Sequence, residues 1–320
     1  MRTLVTGSTG FVGTGLIQHL LRDPAQHIVA TSRNSSATPS ERVACHQVGG
    51  LRAETDWSAV LEYVDTVVHL AARVHVMRDS VADPLAEFRS VNVDGSLQLA
   101  RQAAAAGVRR FVFVSSIKVN GEATVAGRSF RADDPPQPHD PYGISKHEAE
   151  QGLREVAAAS GMELVVVCPP LVYGPGVRAN FRSMMSWLQR GIPLPLGAID
   201  NRRSLVALDN LCDLLVTCTR HPAAAGQTFL AADGEDISTT QLLVRLGRSL
   251  GRPARLMPLS PRALRALFGL LGKADVAQRL LSSLQVDTSL ARERLGWHPP
   301  ISLDEGLRRA VAGFVAEPER

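Results

Sequence analysis

The chain has 320 residues, enough for one large domain or two of ordinary size. Hydrophobic residues make up 45% and charged residues 21%, which is typical of a globular protein and excludes a disordered chain. The net charge of +4 comes with an excess of arginine and no basic run, so we expect solvated surface arginines rather than a nucleic-acid-binding face.

No apolar stretch reaches the roughly 18 residues that a membrane-spanning helix needs. The longest ones, Leu164–Val167 and Ala263–Leu271, are far shorter. A Gly-rich segment begins at residue 7 and leaves no room for a signal peptide. The four cysteines lie among apolar neighbours without metal-ligand spacing, so we expect free buried thiols. These observations predict a cytoplasmic protein with no metal, no membrane partner and no nucleic-acid partner.

Short apolar runs alternate with longer helical stretches in the first half of the chain. Continuous apolar runs are typical of parallel strands that are covered on both faces. The predicted strands are Thr3–Thr6, Ile28–Ser32, Val43–Gln47, Thr66–Leu70, Phe111–Ser115 and Leu164–Cys168. The predicted helices between them are Phe11–Arg22, Asp83–Ala106 and Tyr142–Ser160. This alternation predicts an α/β fold with a doubly wound parallel sheet, a Rossmann domain.

The pattern changes after Cys168, where two prolines interrupt the chain. A Gly/Pro turn, a predicted helix at Asn180–Arg190 and a second Pro-rich stretch follow, and then short strands, loops and helices are mixed. We therefore place a domain boundary near residue 170. Residues 1–169 form the predicted dinucleotide-binding domain, to which some later segments return, and residues 170–320 form a smaller mixed α/β substrate domain.

Three glycines follow the first predicted strand and open the first predicted helix. Gly7 permits the tight turn, Gly10 lets the backbone approach a pyrophosphate, and Gly13 lets the helix pack on the strand. The strand–turn–helix context is the one that a dinucleotide-binding motif requires.

A tyrosine and a lysine lie one turn apart at the start of the third predicted helix. A phenol has a pKa near 10, and an ammonium ion beside it would lower that pKa towards the range of an acid–base catalyst. Tyr142 and Lys146 have this spacing. Ser115 and Ser116 follow the strand at Phe111, where the carboxyl edge of a doubly wound sheet faces its ligand crevice.

Several motifs in the chain resemble the extended short-chain dehydrogenases/reductases, specifically the NAD(P)-dependent nucleotide-sugar epimerase/dehydratase family that includes UDP-glucose 4-epimerases. The resemblance covers nearly the whole chain. The matching motifs are the Gly7–Gly13 spacing, His69-Leu70-Ala71-Ala72, Asn92-Val93-Asp94-Gly95, Pro170–Gly176 and Leu295-Gly296-Trp297.

The resemblance implies a role for particular residues. Ser116 would hydrogen-bond to the reacting sugar oxygen, Tyr142 would move the proton, and Lys146 would assist Tyr142. Asn180 and Arg203 would contact the diphosphate of a nucleotide sugar, and Lys118 would touch the substrate without a chemical role. The cofactor would contact Gly7, Thr9, Gly10, Phe11, Val12, Gly13, Ser32, Arg33, Leu70, Ala71, Ala72, Asn92, Ser115, Tyr142 and Lys146. A homodimer through the helices around Asp83–Ala106 and Tyr142–Ser160 is a further family expectation.

The end of the second strand bears on the choice of dinucleotide. An acidic residue there would bind the adenosine ribose of NAD and repel a 2′-phosphate. The chain has Ser32-Arg33-Asn34 at this point, and the guanidinium of Arg33 suits a phosphate. We therefore favour NADP(H), with NAD as the alternative if Arg33 is a surface residue or stacks on the adenine.

The family resemblance implies a UDP-hexose as the sugar substrate and leaves two reactions at its C4 atom as alternatives. A dehydratase would need an Asp-Glu pair where the chain has Ile117 and Lys118. The absence of the ribose-binding acid, and Asn120 in place of a tyrosine, favour a 4-ketoreductase that uses NADPH. The alternative is a 4-epimerase with tightly bound NAD. Two other classes are a non-catalytic NADP(H) sensor, which the intact tyrosine opposes, and a steroid- or flavonoid-type reductase, which Asn180 and Arg203 oppose.

Overall fold

The computed structural model describes residues 1–34, 40–74, 83–125, 127–272 and 274–316. Seven parallel strands form the main sheet in the order β3-β2-β1-β4-β5-β6-β9. Their bounds are β1 Arg2–Thr6, β2 His27–Ser32, β3 Val43–Gln47, β4 Thr66–His69, β5 Arg110–Val114, β6 Glu163–Cys168 and β9 Thr228–Leu230. The six strands predicted from the sequence are all present to within one residue, and the predicted doubly wound α/β fold is confirmed.

A second, three-stranded sheet has the order β10-β8-β7. Its strands are β7 Leu171–Tyr173, β8 Arg203–Ala207 and β10 Asp236–Ile237. Because β7 follows β6 after only two residues, this unit begins at the carboxyl edge of the main sheet, where the ligand crevice of a doubly wound fold lies.

Helices cover both faces of the main sheet and surround the second unit. Their bounds are α1 Phe11–Leu20, α2 Ser58–Leu61, α3 Pro84–Arg89, α4 Gly95–Ala105, α5 Pro141–Ser160, α6 Ala179–Gln189, α7 Leu208–Arg220, α8 Thr239–Ser249, α9 Pro261–Leu270, α10 Ala274–Leu281, α11 Ser289–Leu295 and α12 Leu303–Ala316. Apolar side chains from α4 and α5 pack on one face of the main sheet, and those of α1 and α7 pack on the other.

The chain returns to the main sheet after the predicted boundary at residue 170. Strand β9 pairs with β6, and α7 packs against α1. Residues 170–320 therefore contribute to both the main sheet and the second unit, in agreement with the expected return of later segments to the first domain. The domain boundary near residue 170 stays a prediction.

The single helix predicted over 83–106 differs from the structure. Asp83 caps α3 by accepting a hydrogen bond from the Ala86 backbone nitrogen at 3.0 Å. A five-residue π-helical segment, Ser90–Asp94, then separates α3 from α4. The wider turn directs Asn92 into the protein, where it is 1% exposed. Among the helices of the described ranges, none is long and apolar enough to cross a membrane.

Candidate active site

The turn after β1 leaves the start of helix α1 open to a ligand. Gly7 has a φ of +66°, and a Cβ atom there would meet the Ala71 backbone nitrogen at 2.9 Å. A Cβ atom at Gly13 would lie 2.2 Å from the Gly7 carbonyl oxygen. Within the described chain α1 has no side-chain cap and no acidic residue in its first turn, so its backbone donors are available to an anion. Exposed Thr9 and Gly10 border this opening, which fits a dinucleotide pyrophosphate.

Thr6 fixes the loop after β4 beside the glycine turn. Its hydroxyl accepts hydrogen bonds from the backbone nitrogens of Leu70 and Ala71, both at 3.1 Å, and lies 2.7 Å from the Nδ1 atom of His69. Burial lowers the pKa of His69 to about 3, with a smaller effect from the nearby Lys146 charge. The ring is therefore neutral and serves as a hydrogen-bonding link between β1 and β4. The structure thus brings Leu70 and Ala71 next to the glycine turn, and their contact with a cofactor stays a prediction.

The end of β2 presents Arg33 to solvent. The Ser32 hydroxyl donates to the Asn34 carbonyl, and the Arg33 carbonyl accepts from Gln47 at 3.1 Å. The guanidinium of Arg33 is exposed and accessible to a phosphate. Phe11 and Val12, predicted cofactor contacts in the same region, are half-buried and pack on the apolar core beneath α1.

Ser116 and Tyr142 meet at the carboxyl edge of the main sheet. Ser116 caps the short 3₁₀ turn Ile117–Val119, and Asp140 caps α5 by accepting from the Gly143 backbone nitrogen at 2.7 Å. The Ser116 hydroxyl lies beside the phenol of Tyr142 and lowers the phenol pKa. Burial outweighs this contact and raises the pKa of Tyr142 to about 12.

Lys146 lies behind the two hydroxyls and is 2% exposed. Its ammonium donates to the Val114 carbonyl at 2.9 Å and lies 4.4 Å from the centroid of the Phe113 ring. Burial lowers the pKa of Lys146 to about 8, while Glu150 acts in the opposite direction. Burial of the phenol dominates the pKa of Tyr142, and the ammonium of Lys146 is bound to the Val114 carbonyl, so the expected lowering of the Tyr142 pKa by Lys146 stays a prediction.

A buried acid beneath Lys146 is not among the site residues predicted from the sequence. Glu150 accepts a hydrogen bond from the Ser115 hydroxyl, and its Oε1 atom lies 3.8 Å from the sulfur of Cys168. Burial raises the pKa of Glu150, and the Ser115 hydrogen bond opposes that shift. Ser115 therefore points towards Glu150 in this structure. The four-residue spacing from Lys146 to Glu150 was the available signal, because it places both side chains on one face of α5.

Asn92 connects the loop after β4 to helix α5. Its side-chain oxygen accepts from the Arg73 backbone nitrogen at 2.8 Å, and its amide donates to the Arg73 carbonyl and the Ser145 hydroxyl, both at 3.0 Å. Asn92 thus holds the cofactor-side loop against the helix that carries Tyr142. Its amide is fully engaged with protein atoms, so its effect on a cofactor contact would be through the loop it positions.

The three predicted substrate contacts differ in their surroundings. Lys118 pairs with the carboxylate of Asp140 and lies 4.0 Å from Glu122, so its charge is already balanced by protein. Asn180 is exposed in the first turn of α6. The side chain of Arg203 donates to the carbonyls of Arg279 and Ser282 at 2.8 and 3.2 Å.

The Arg203 guanidinium is a strong candidate for binding an anion. Burial lowers its pKa, and among the described residues no carboxylate lies within ion-pair distance of it. A desolvated cation with only carbonyl partners gains from a diphosphate, which supplies the missing negative charge.

Asn120, the replacement for a family tyrosine, is 7% exposed and donates to the Arg131 carbonyl at 3.1 Å. It therefore fastens the loop between β5 and α5 rather than lining an open pocket with its amide. The cysteines are all free, and no cluster of metal-ligating side chains occurs in the described ranges.

Together these residues can bind a dinucleotide and move a proton at one substrate oxygen. The glycine turn and the first turn of α1 suit the pyrophosphate, while Ser116 and Tyr142 present two adjacent hydroxyls at the same sheet edge. Lys146 supplies a positive charge behind them.

Comparisons with known proteins agree with this arrangement. The model of the NAD dependent epimerase/dehydratase family matches residues 3–232. A UDP-glucose 4-epimerase of Vibrio cholerae is 46% identical over 314 residues, which cover 98% of this chain and 95% of that protein. The structure of a UDP-glucuronic acid 4-epimerase from Bacillus cereus in complex with NAD has a TM-score of 0.79 at 22% identity, covering 98% of this chain and 99% of that one. The structure of MoeE5 in complex with UDP-glucose and NAD has a TM-score of 0.75 at 26% identity, covering 98% of both chains.

Proposed function

The chain belongs to the NAD-dependent epimerase/dehydratase family, and from that premise we propose that it is a nucleotide-sugar 4-epimerase acting with NAD on a UDP-hexose. The relative from Vibrio cholerae supports the choice of an epimerase. The observation that carries the proposal is the meeting of Ser116 and Tyr142 at the sheet edge with Lys146 behind them. This choice reverses the order of the sequence analysis, which favoured the ketoreductase.

The proposed roles follow from where each group lies. The glycine turn and the first turn of α1 would hold NAD, which would supply the hydride chemistry at C4. Tyr142 takes the proton from the C4 hydroxyl and gives it back, since the Ser116 hydroxyl stabilises the phenolate by donating to it. Ser116 holds the C4 oxygen, and Lys146 keeps a positive charge near the phenol. Both proton steps use the same tyrosine, so epimerisation needs no second acid.

The diphosphate of the substrate is assigned to Arg203 and Asn180. Arg203 is desolvated and lacks a carboxylate partner among the described residues, and Asn180 offers an exposed amide at the start of α6. Lys118 is assigned a positioning role through its pair with Asp140, the cap of the helix that carries Tyr142.

A second candidate is a 4-ketoreductase that uses NADPH. The observation that favours it is Arg33, which is exposed at the carboxyl end of β2 where no acid stands to bind the adenosine ribose. In that case a 4-keto sugar would be reduced once, with Tyr142 donating the proton.

Native mass spectrometry of the purified protein separates the two candidates. The epimerase retains NAD and interconverts UDP-glucose and UDP-galactose, or their N-acetylated forms, without added dinucleotide. The ketoreductase purifies without a nucleotide and oxidises NADPH only when a UDP-4-keto sugar is present. A protein that does neither would contradict both proposals.

The Tyr142→Phe variant tests the assigned proton donor. We expect turnover to fall about 10²- to 10⁴-fold while the cofactor remains bound, because only the hydroxyl is lost. Tyr63→Phe is the matched control, since the Tyr63 side chain is 79% exposed and should leave turnover unchanged. Turnover of Tyr142→Phe equal to that of the wild type would contradict the assignment of Tyr142 as the proton donor, and no turnover by either protein would favour the non-catalytic sensor.

We also propose that two chains pair through the helix layer formed by α4 and α5. The helices pack closely on one another, because a Cβ atom at Gly152 would meet the Leu97 side chain at 2.7 Å, and together they present one rigid outer face. Light scattering of the purified protein tests this pairing, and a monomer at micromolar concentration would contradict it.

A further inference from the structure

Residues 251–282, which contain α9, α10 and the loop before them, carry an exposed apolar surface; we call this segment the basic hairpin. Leu270 and Leu271, at the connection between the two helices, are 87% and 59% exposed. Five of the twelve large apolar side chains that the described chain leaves exposed lie between residues 257 and 276. Apolar exposure concentrated in this way marks a contact surface rather than the scattered exposure of an ordinary protein face.

The same segment concentrates positive charge. It holds six basic residues and one acidic residue, whereas the whole chain has a net charge of only +4. The rest of the chain is therefore close to neutral. The arginines that the structure describes in the segment are exposed, and none of them forms an ion pair with a described carboxylate: Arg252, Arg255, Arg262, Arg265 and Arg279.

Helix α9 carries both exposed apolar side chains and positive charge. Leu264 is fully buried and anchors the helix to the second unit. Ala263, Ala266 and Leu270 follow one another at spacings of three and four residues, so they share an outward-facing stripe. Arg262 and Arg265 are exposed beside that stripe. An apolar outer stripe bordered by arginine is the arrangement of helices that lie in the headgroup region of a bilayer.

The segment also contacts the candidate substrate site. The carbonyls of Arg279 and Ser282, at its end, hold the guanidinium of Arg203. The basic hairpin therefore links its exposed apolar side chains to the candidate substrate site.

We propose that the basic hairpin docks this protein on an anionic lipid bilayer, with Leu270 and Leu271 inserted among the headgroups and the arginines on lipid phosphates. Charge complementarity selects this occupant, because exposed arginines without carboxylate partners are attracted to negatively charged lipids. From the sequence, no membrane partner is predicted and the arginines are interpreted as solvated surface residues. The apolar run Ala263–Leu271 is too short to span a membrane, and spanning was the only membrane role weighed for it.

Cosedimentation with vesicles tests the docking surface. The full-length protein should sediment with vesicles of phosphatidylcholine and phosphatidylglycerol in a 3:1 ratio, should not sediment with phosphatidylcholine alone, and should be released by salt. The double variant Leu270→Asp/Leu271→Asp should abolish sedimentation. The double variant Arg262→Glu/Arg265→Glu should lower the partition coefficient about tenfold or more.

The control is Val315→Asp, which places one of the two added negative charges at another exposed apolar position, 61% exposed on α12. It should bind vesicles like the wild type. Turnover of a water-soluble UDP-sugar by each variant shows that the fold is intact and separates failure of this proposal from failure of the proposed function. The proposal is overturned if the wild type does not bind anionic vesicles or if the hairpin variants bind as well as Val315→Asp. It is also overturned if light scattering shows that Leu270→Asp/Leu271→Asp separates chains that the wild type joins.

Discussion

The surroundings of Lys146 change its chemistry. It is buried against the Phe113 ring with one carbonyl partner, and its pKa falls from 10.5 to about 8. Tyr142, one turn earlier, is shifted upward to about 12 by burial. Burial therefore shifts both groups towards their neutral forms. A proton acceptor of this kind becomes effective only when further charge enters the site.

The shift of Lys146 predicts a pH dependence of stability. Between about pH 8 and 10.5 the unfolded chain holds the lysine proton that the folded chain has released, so the contribution of Lys146 to the free energy of unfolding rises with pH. Across the whole window the change is at most about 3 kcal/mol. Denaturant titrations of the wild type and Lys146→Met at pH 7.5 and pH 9.5 measure it.

We expect the wild type to gain stability relative to Lys146→Met as the pH rises through that window. The titration of Tyr142, which begins near pH 10 in the unfolded chain, is common to both proteins and therefore cancels to first order in their difference. An identical difference between the two proteins at both pH values would show that Lys146 keeps an ordinary pKa in the folded chain.

At the scale of elements, the turn between β1 and α1 leaves no room for a larger side chain at Gly13. A methyl group at Gly13 would lie 2.2 Å from the Gly7 carbonyl oxygen and 2.8 Å from the Ser8 Cα atom, and both are backbone atoms that cannot rotate away. We expect Gly13→Ala to displace the start of α1, to lower stability by about 1–3 kcal/mol and to abolish cofactor retention. Gly49→Ala is the control, because a Cβ atom there meets nothing within 4 Å.

Thermal unfolding and native mass spectrometry of both variants give the two readouts. Retention of the dinucleotide by Gly13→Ala at the wild-type level would mean that the pyrophosphate does not rest on the first turn of α1.

The elements that the sequence predicted are those specified by nearby residues. The glycine spacing at Gly7–Gly13 and the pair Tyr142–Lys146 lie within single strand–turn–helix or helix segments, so their geometry follows from local rules. The π-helical segment at Ser90–Asp94 could not be predicted, because one extra residue in a turn barely changes the hydrophobic periodicity over 83–106. The orientation of Ser115 towards Glu150 depends on packing between β5 and α5, which no local pattern records.

At the scale of the whole molecule, the chain passes between its two units more than once. The pairing of β9 with β6 joins residues separated by about 60 positions along the chain, and hydrophobic patterns carry no information about such partners. The same return places Asp233, just after β9, between the two sheets. Its carboxylate accepts from the Ala207 backbone nitrogen at 2.8 Å, from Asn210 at 2.7 Å and from the Tyr173 hydroxyl at 2.6 Å.

These contacts predict that the two units unfold together and that Tyr173 contributes to their connection. The Tyr173→Phe variant keeps the stacking of the ring on Phe181 but leaves one oxygen of a buried carboxylate without its donor, which should cost about 1–3 kcal/mol. Burial raises the pKa of Asp233, and loss of a donor to its charged form should raise it further.

Calorimetry should show one transition in the wild type and one in Tyr173→Phe at a lower temperature. The transition of Tyr63→Phe should be unchanged, because the Tyr63 side chain is at the surface. Two separate transitions in the variant would mean that the Asp233 contacts are the main link between the units, and an unchanged transition would mean that they contribute little.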